Sequence, residues 1–515
     1  MTRLVAFLSV AFFFVFALPA HPANAAVANE AGAARLKTLV TKYLDDQKTA
    51  IRAQDQELRA QGEVLVEPAG SYYAITMPHL SLVNGDGSYT DIGILAINAL
   101  PGEKDGEWKM TVAVPTPIIG YDAQKKPDLR IDLGAQSFTG LWNEKFDNFT
   151  KLDARYQNIK AVQTAKGVTV AIPSASILYN LTPSAGGATW SGPIRYTMDN
   201  IEVSRRDDPG VSKIGKVEMT MNVLDYDPDA VRRYQDQIKT AENPSVPFME
   251  LIGNAWDGFD STLTLQGLNL TRPAIPGSPE GKLAIKDATL HFGAKGFRND
   301  SVTMNLRTQY DGLNLVPAPS GFDEATPARL NLDIHIEKLP FGELVRLSRE
   351  GIETANSQPD GGKIAGMQAA KLIPQLLTNA GTHLKIDQSY LGNALYNLDL
   401  DGILNADLNA VMGAEGKAKL EVTGLDALLA LLKTRLKDPS LEADAKARMN
   451  NALVTLTVLQ LAGQQGTNAD GKPVRSYNLE LTKDGKIMIN GADLSMLKAL
   501  AGAGKKPEEA PQSAP

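Results

Sequence analysis

The chain has 515 residues, of which 43% are hydrophobic and 22% charged, so it is long enough for two or three ordinary hydrophobic cores. Its net charge of −7 argues against broad nucleic-acid binding, which needs a basic face. The absence of cysteine excludes disulfides, thiol catalysis, cysteine-ligated metals and a lipid-modified N-terminal cysteine. Because only 6% of the residues are aromatic, aliphatic side chains must supply most of the core.

Residues 1–25 have the pattern of a secretory signal peptide. Arg3 is followed by an apolar run from Leu4 to Leu18, and Ala23 and Ala25 are small residues of the kind that a signal peptidase recognises. We therefore expect export to a bacterial periplasm, with cleavage after about Ala25. The apolar run is shorter than the roughly 20 residues that span a bilayer. An uncleaved anchor helix is the alternative.

Residues 26–61 are predicted to form a long N-terminal helix. The apolar residues that recur at helical spacing are Leu36, Leu39, Val40, Tyr43 and Leu44. The opposite face carries charges of both signs. This pattern favours a helix packed on its own domain over one that binds a membrane surface or a partner, since a membrane helix needs an excess of basic residues.

From residue 62 to residue 258 the apolar residues alternate with polar ones, which predicts a β-rich domain of meandering antiparallel strands. Turn sequences such as "NGDGS" and "PGEKDGE" separate the strands. A helix is predicted from Pro228 to Thr240, with Asp227 as its N-cap. The helical region near Trp256 marks the boundary to the second domain.

Residues 259–501 are predicted to form an α+β domain, and residues 502–515 a disordered tail. The predicted helices are Phe341–Ser348, Lys363–Asn379, Asp426–Lys437 and Ser440–Gly463. The last contains "ALVTLTVLQLAG", which is rich in β-branched residues but ends a helix-like run. The predicted fold class is α+β and β-rich, with extended antiparallel sheets covered by amphipathic helices.

A strand, a turn and an amphipathic helix recur in the same order four times. These units are Lys216–Tyr234, Asn331–Leu347, Lys417–Leu432 and Lys486–Leu500. Asp426 and Asp493 are placed to cap the helices of the third and fourth units. The uneven spacing excludes a solenoid of fixed period. It leaves open whether the units arose by duplication or only share a common motif.

No catalytic, cofactor-binding or metal-binding residue is predicted. The four histidines beyond the signal segment are isolated in sequence, and His335 is expected to face outward from its strand; they are His79, His291, His335 and His383. Two acidic runs resemble calcium loops but lack required residues. They are Asp225, Asp227 and Asp229, and Asn397, Asp399 and Asp401. Serine-nucleophile motifs are absent, although a pair of carboxylates that meet only in the fold would be invisible in sequence.

The stretch "LTKDGKIMING", Leu481 to Gly491, predicts a hairpin with a three-residue loop, Lys483 to Gly485. That loop pairs Leu481 with Ile487 and Leu479 with Ile489, which brings the apolar residues together. Asp484 is therefore expected to form a turn and not to carry chemistry.

The C-terminal half resembles large bacterial envelope proteins of the YdgA type, whose domains have no known function, and more distantly AsmA-like proteins. The stretches that carry the resemblance are "NLDIHIEKLPFGELVRL", "KAKLEVTGLDALLALL" and "LTKDGKIMING", and it covers about Ser261 to Leu500. It implies export and a β-rich fold, and it supplies no catalytic residues.

These observations favour an exported envelope protein that is not an enzyme. The first hypothesis is that it binds a lipid or another amphiphile between a curved sheet and its helices. The alternative is a periplasmic scaffold or interaction protein, and a third is a hydrolase with an unrecognised carboxylate pair. Peripheral membrane contact and the oligomeric state stay open.

Overall fold

Antiparallel strands dominate the chain, with seven helices in the part that the structure describes. This computed structural model describes residues 28–52, 56–241, 243–275, 279–317, 323–357, 359–468 and 471–494. The chain divides into two units, one made of residues 1–229 and 261–284, the other of residues 230–260 and 285–515. The sequence placed a single boundary at residue 258. The observed division is more complex because one long hairpin is shared between the two units.

The first unit contains helix α1, Glu30–Arg52, and thirteen strands of its own within the described residues. The strands are β1 Gln56–Gln61, β2 Leu65–Ala69, β3 Tyr72–Asn84, β4 Tyr89–Pro101, β5 Glu107–Ala113, β6 Ile118–Tyr121, β7 Pro127–Asp132, β8 Ala135–Asn143, β9 Asn148–Gln163, β10 Val168–Asn180, β11 Thr182–Pro183, β12 Trp190–Arg205 and β13 Asp208–Tyr226. Strands β14, Gly258–Arg272, and β15, Gly281–Lys295, form the shared hairpin.

Several long strands of the first unit each pair, along one edge, with two shorter strands. β3 pairs with β1 and β2 on one side and with β4 on the other. On its other side, β4 pairs with β5 and β6. β5 pairs with β8 and β6 pairs with β7, and both β7 and β8 pair with β9. The order then runs β9, β10, β12, β13. All of these pairings are antiparallel, as the meandering pattern predicts.

Helix α1 packs on the core of this sheet through the predicted apolar stripe. Leu36 is fully buried, and Val40 and Leu44 are 6% and 3% exposed. Two basic residues of the helix also form ion pairs with the sheet domain: Arg35 with Glu144 at 2.7 Å and Lys42 with Asp147 at 2.5 Å. The expectation of a helix packed on its own domain is therefore confirmed.

The prediction that this helix reaches residue 61 is wrong. The helix ends at Arg52, and Gln56–Gln61 forms β1, which pairs with β3. Leu58 is buried between exposed Glu57 and Arg59, and this period of two is typical of a strand with one covered face.

The second unit alternates strands with helices. Its helices are α2 Pro228–Thr240, which begins in the first unit, α3 Ser245–Asn254, α4 Phe341–Ser357, α5 Gly361–Ala380, α6 Leu425–Arg435 and α7 Ala443–Ala462, with 3₁₀ turns at Phe297–Asn299 and Asp323–Ala325. Its strands are β16 Val302–Asp311, β17 Asn314–Val316, β18 Arg329–Leu339, β19 His383–Gly392, β20 Asn397–Ala406, β21 Ala414–Thr423, β22 Gln464–Thr467, β23 Pro473–Leu481, β24 Ile487–Ile489 and β25 Ala492–Asp493.

The sheet of the second unit is also antiparallel. Its strands follow one another in the order β15, β16, β18, β19, β20, β21, β23, β24, β25. Helices occur where the pattern predicts them, and the β-branched stretch before Gly463 is helical. The predicted fold class is thus confirmed in its main features, a β-rich chain with extended antiparallel sheet.

Three of the four strand–turn–helix units are present, and Asp227 caps α2 by accepting a hydrogen bond from the Asp229 amide at 3.0 Å. The prediction that Asp426 caps α6 is wrong. The chain enters α6 at Gly424, with φ of +73°, and the Asp426 carboxylate accepts from Gln460 instead. The predicted signal peptide, the predicted fourth helix beyond residue 494 and the predicted tail lie outside the described residues.

Candidate functional site

One face of the second unit's sheet carries two unbroken rows of paired aliphatic, aromatic and small residues across eight strands. The first row is Phe292, Leu306, Ile334, Ile386, Gly402, Ala418, Leu479 and Ile489. The second row is Ala294, Met304, Ile336, Leu384, Leu404, Gly416, Leu481 and Ile487. Paired residues of an antiparallel sheet project to the same side. We call these two rows the apolar face.

The apolar face is only partly covered. Apart from Ala294, none of its side chains is buried, and Phe292, Leu306 and Leu404 are 37%, 40% and 37% exposed. The first unit shows the opposite pattern, with a dense cluster of buried residues under α1. Large exposed apolar surfaces of this kind mark binding sites more often than they mark ordinary surface.

Two strands lie unusually close together in the middle of the apolar face. A β carbon added at Gly402 would lie 2.7 Å from the β carbon of its partner Ala418. Paired β carbons of a flat sheet stand about 4.5–5.5 Å apart. The backbones of β20 and β21 therefore approach each other closely at this pair, and position 402 has no room for a side chain. Gly402 and Ala418 make this part of the first row low, while Leu404 lies over Gly416 in the second row.

Helices stand over parts of the apolar face. At the β15 end, Trp256 and Ile252 pack with Met304 and Phe297. At the β23 end, Leu456 and Leu459 of α7 pack with Leu479 and Ile489, and Leu425 and Leu429 of α6 join the same cluster. Helix α5 lies beside β18 and β20. The arrangement is a sheet with a half-covered apolar face beneath amphipathic helices.

The opposite face of the same sheet is polar, and it contains one buried carboxylate. The side chain of Asp333 is 4% exposed, and its Oδ2 accepts a hydrogen bond from Arg307 Nε at 2.8 Å. His335 Nε2 lies 3.0 Å from Asp333 Oδ1. The backbone amide of Asp333 donates a hydrogen bond to Ser389 Oγ at 3.0 Å. The pairing of β18 with β19 is irregular at this point, so the amide has no partner in the backbone ladder, and Ser389 supplies one. This network stabilises the sheet from its polar side.

Each histidine of the described chain has a carboxylate neighbour, although the sequence suggested that they are isolated. His79 Nε2 lies 2.6 Å from Asp91, and His291 and His383 lie 3.4 Å from Asp260 and Glu337. His335, expected to face outward, has a side chain only 23% exposed. The neighbours of His79, His291 and His383 lie on other strands and could not be found by spacing along the chain.

The two acidic runs occupy structural positions. Asp227 caps α2, the side chain of Asn397 donates to Asp399 at 2.6 Å, and Asp401 accepts the amide of Gln388 at 2.7 Å. Across the described residues, no group of three or more histidines and carboxylates stands close enough to hold a metal ion. Within that same part of the chain, no helix has the length and apolar character needed to cross a membrane.

Described residues of the first unit line two cavities that bear on function. One, of about 600 Å³, has Lys109, Lys151, Arg195 and a single carboxylate, Asp153, in its lining. The other, of about 740 Å³, also contains a single carboxylate, Asp208. A glycosidase would need two converging carboxyl groups, and neither of these two cavities provides them.

No family model, curated protein or solved structure matches the chain. The resemblance to envelope proteins of the YdgA and AsmA-like types stays a prediction from the sequence.

Proposed function

We propose that this protein binds an amphiphile, with its alkyl chain lying along the apolar face of the second unit, and that it does so as a non-enzymatic exported protein of the bacterial envelope. The observation that carries the proposal is the pair of continuous rows, in which only Ala294 is buried. A sheet face of this size is normally covered by its own chain, because each fully exposed aliphatic side chain forgoes about 1.5–3 kcal/mol of transfer free energy. A bound alkyl chain would supply the missing cover.

The shape of the face supports an elongated ligand. The rows run across the strands, and the small residues Gly402 and Ala418 leave the first row low between Ile386 and Leu479. The helices at both ends leave Leu306 and Leu404 partly open. An alkyl chain needs such a continuous apolar path and no specific polar partner along its length.

The test uses the full chain purified without detergent. Native mass spectrometry would identify a co-purifying amphiphile, and a neutral fluorescent monoacylglycerol would measure its affinity. We expect the L306Q/L404Q variant to bind the probe at least tenfold more weakly, a loss of about 1.4 kcal/mol or more. The control is L65Q/I94Q, which changes two apolar residues of the first unit that are 51% and 52% exposed. Absence of binding by the unmodified chain, or an equal loss in both variants, would refute the proposal.

The alternative function, an envelope scaffold, had the first helix and the sheet edges as its candidate partner surfaces. The apolar stripe of α1 is buried against its own sheet. A scaffold would therefore have to use the sheet edges or other surfaces, and crosslinking in cells would show whether a specific partner contacts them.

A further inference from the structure

The cavity of about 740 Å³ is a second candidate site, independent of the apolar face because it lies wholly in the first unit. It is lined by residues from the ends of β9, β10, β12 and β13 and by residues of β14 and β15. Its volume falls within the range of about 300–1,000 Å³ that is typical of small-molecule sites.

The interior of this cavity is aliphatic. Its main apolar wall residues are Val168, Val170, Ile172, Ile201, Val203 and Leu283. Val170 pairs with Val203, and Val203 pairs with Ser212, so these side chains rise from one side of the sheet. No aromatic residue belongs to the lining. The cavity thus offers no ring on which a nucleobase could stack, while its walls suit an alkyl chain.

The mouth of the cavity is cationic. Four basic residues belong to the lining, against one carboxylate; they are Lys166, Arg205, Arg272 and Lys282. They come from a hairpin turn and from strand ends, so separate elements bring them together. This concentration of positive charge contrasts with the net charge of −7 of the whole chain.

Lys166, Arg205 and Lys282 are not neutralised by acidic neighbours. Within the described residues, Lys166, Arg205 and Lys282 form no ion pair or side-chain hydrogen bond, and Arg272 donates to the Pro279 carbonyl at 3.5 Å. The carboxylate of Asp208 accepts the amide of Gly210 at 2.9 Å, within its own turn. An anion at the mouth would therefore meet at least three basic side chains that lack a protein partner.

We propose that this cavity binds a single-chain anionic amphiphile, with the alkyl chain between the valine and isoleucine side chains and a carboxylate or phosphate head at the four basic residues. Charged hydrogen bonds from Lys and Arg to such a head are roughly twice as strong as neutral ones. Because the mouth residues are largely solvent-exposed, binding is expected to weaken as ionic strength rises.

The test is calorimetric titration of the full chain with dodecanoate, dodecanol and acetate. All titrations use the L306Q/L404Q background, so that the apolar face does not contribute. We expect dodecanoate to bind once per chain, at least tenfold more tightly than dodecanol, and acetate not to compete. K166Q/R205Q should weaken dodecanoate binding at least tenfold, and S212F, which places a phenyl ring inside the cavity, should abolish it.

The matched control is K160Q/R206Q, which removes two charges from β9 and from the turn after β12 without changing a lining residue. It should change dodecanoate affinity less than twofold, and circular dichroism confirms that each variant is folded. Equal affinity for dodecanol and dodecanoate would refute binding of an anionic head group by the basic residues. Competition by acetate or inorganic phosphate alone would show a simple anion site and would refute binding of an alkyl chain in the cavity. No dodecanoate binding would overturn the proposal as a whole.

Discussion

Gly402 and Ala418 face each other across β20 and β21 so closely that a β carbon at position 402 would lie 2.7 Å from the one at 418. A contact this short cannot form unless the strands move apart. The missing side chain therefore permits the close approach of β20 and β21 in the middle of the apolar face.

Replacing Gly402 by Ala should destabilise the second unit by about 1–3 kcal/mol, as expected for an overpacked position. Chemical denaturation followed by far-UV circular dichroism would measure the free energy of unfolding. Adding A418G should restore part of the loss, because it removes the atom with which the new methyl group collides.

The control for this pair is G466A. Gly466 lies in β22, where the nearest atom to an added β carbon, Val474 Cγ1, is at 3.5 Å. This change should leave the free energy of unfolding unchanged or raise it by up to about 1 kcal/mol. If G402A were as well tolerated as G466A, the close approach of β20 and β21 at this pair would not depend on the missing side chain.

The two units should differ in their response to the loss of one leucine side chain. Leu36 is fully buried under α1, whereas Leu306 is 40% exposed on the apolar face. We expect L36A to cost about 2–5 kcal/mol, as in other well-packed cores, and L306A to cost less than about 1 kcal/mol. Denaturation of both variants after removal of any bound amphiphile would measure the contrast. A cost for L306A as large as that for L36A would show that the face is already filled by the protein.

Much of the local structure could be predicted from the sequence because it depends on neighbours along the chain. The stripe of α1 follows from helical spacing. The hairpin at Lys483 to Gly485 follows from apolar pairing, and the structure confirms both predicted pairs, Leu479 with Ile489 and Leu481 with Ile487. Gly485 has the expected left-handed conformation, with φ of +78°.

The apolar face could not be predicted as a surface, because it depends on the register of eight strands. Each strand shows only its own alternation, and an irregularity such as the one between Ile386 and Ser389 changes which residues pair beyond it. The cationic mouth of the cavity likewise joins Lys166 to Lys282, which are far apart in sequence. The sequence therefore predicts elements and faces, whereas sites arise from their assembly.

Because the carboxylate of Asp333 is buried, loss of Arg307 should cost more stability than loss of the Asp333 charge. Arg307 is 48% exposed and can be solvated if its partner is lost, but Asp333, 4% exposed, cannot. We expect R307M to cost up to about 3–5 kcal/mol, because it leaves a buried charge with fewer donors, and D333N to cost less. Denaturation of both single variants and the double variant completes the cycle, in which the double should cost less than the sum. A larger loss for D333N than for R307M would contradict this account.

Tyr43 should make stability depend on pH in the alkaline range. Burial of its phenol, and secondarily the negative charge of Asp147, raise its pKa to about 12 in the folded protein. Its ring packs edge-on against Trp142, with ring centres 5.1 Å apart. The unfolded tyrosine loses its proton near pH 10. Between pH 10 and pH 12 the folded state therefore binds more protons than the unfolded state, and the free energy of unfolding falls as pH rises.

The Tyr43 contribution is fully present below pH 10 and falls by roughly 1.4 kcal/mol per pH unit up to pH 12. Since part of the residue reaches solvent, the total of about 2.7 kcal/mol is an upper limit. Y43F should lack this loss, so the stability difference between the unmodified chain and Y43F should shrink across that range. Urea denaturation at pH 9, 10, 11 and 12 would measure it, with Y72F, at a tyrosine that is 37% exposed, as the control. Parallel curves for the unmodified chain and Y43F would mean that burial of α1 does not shield this phenol.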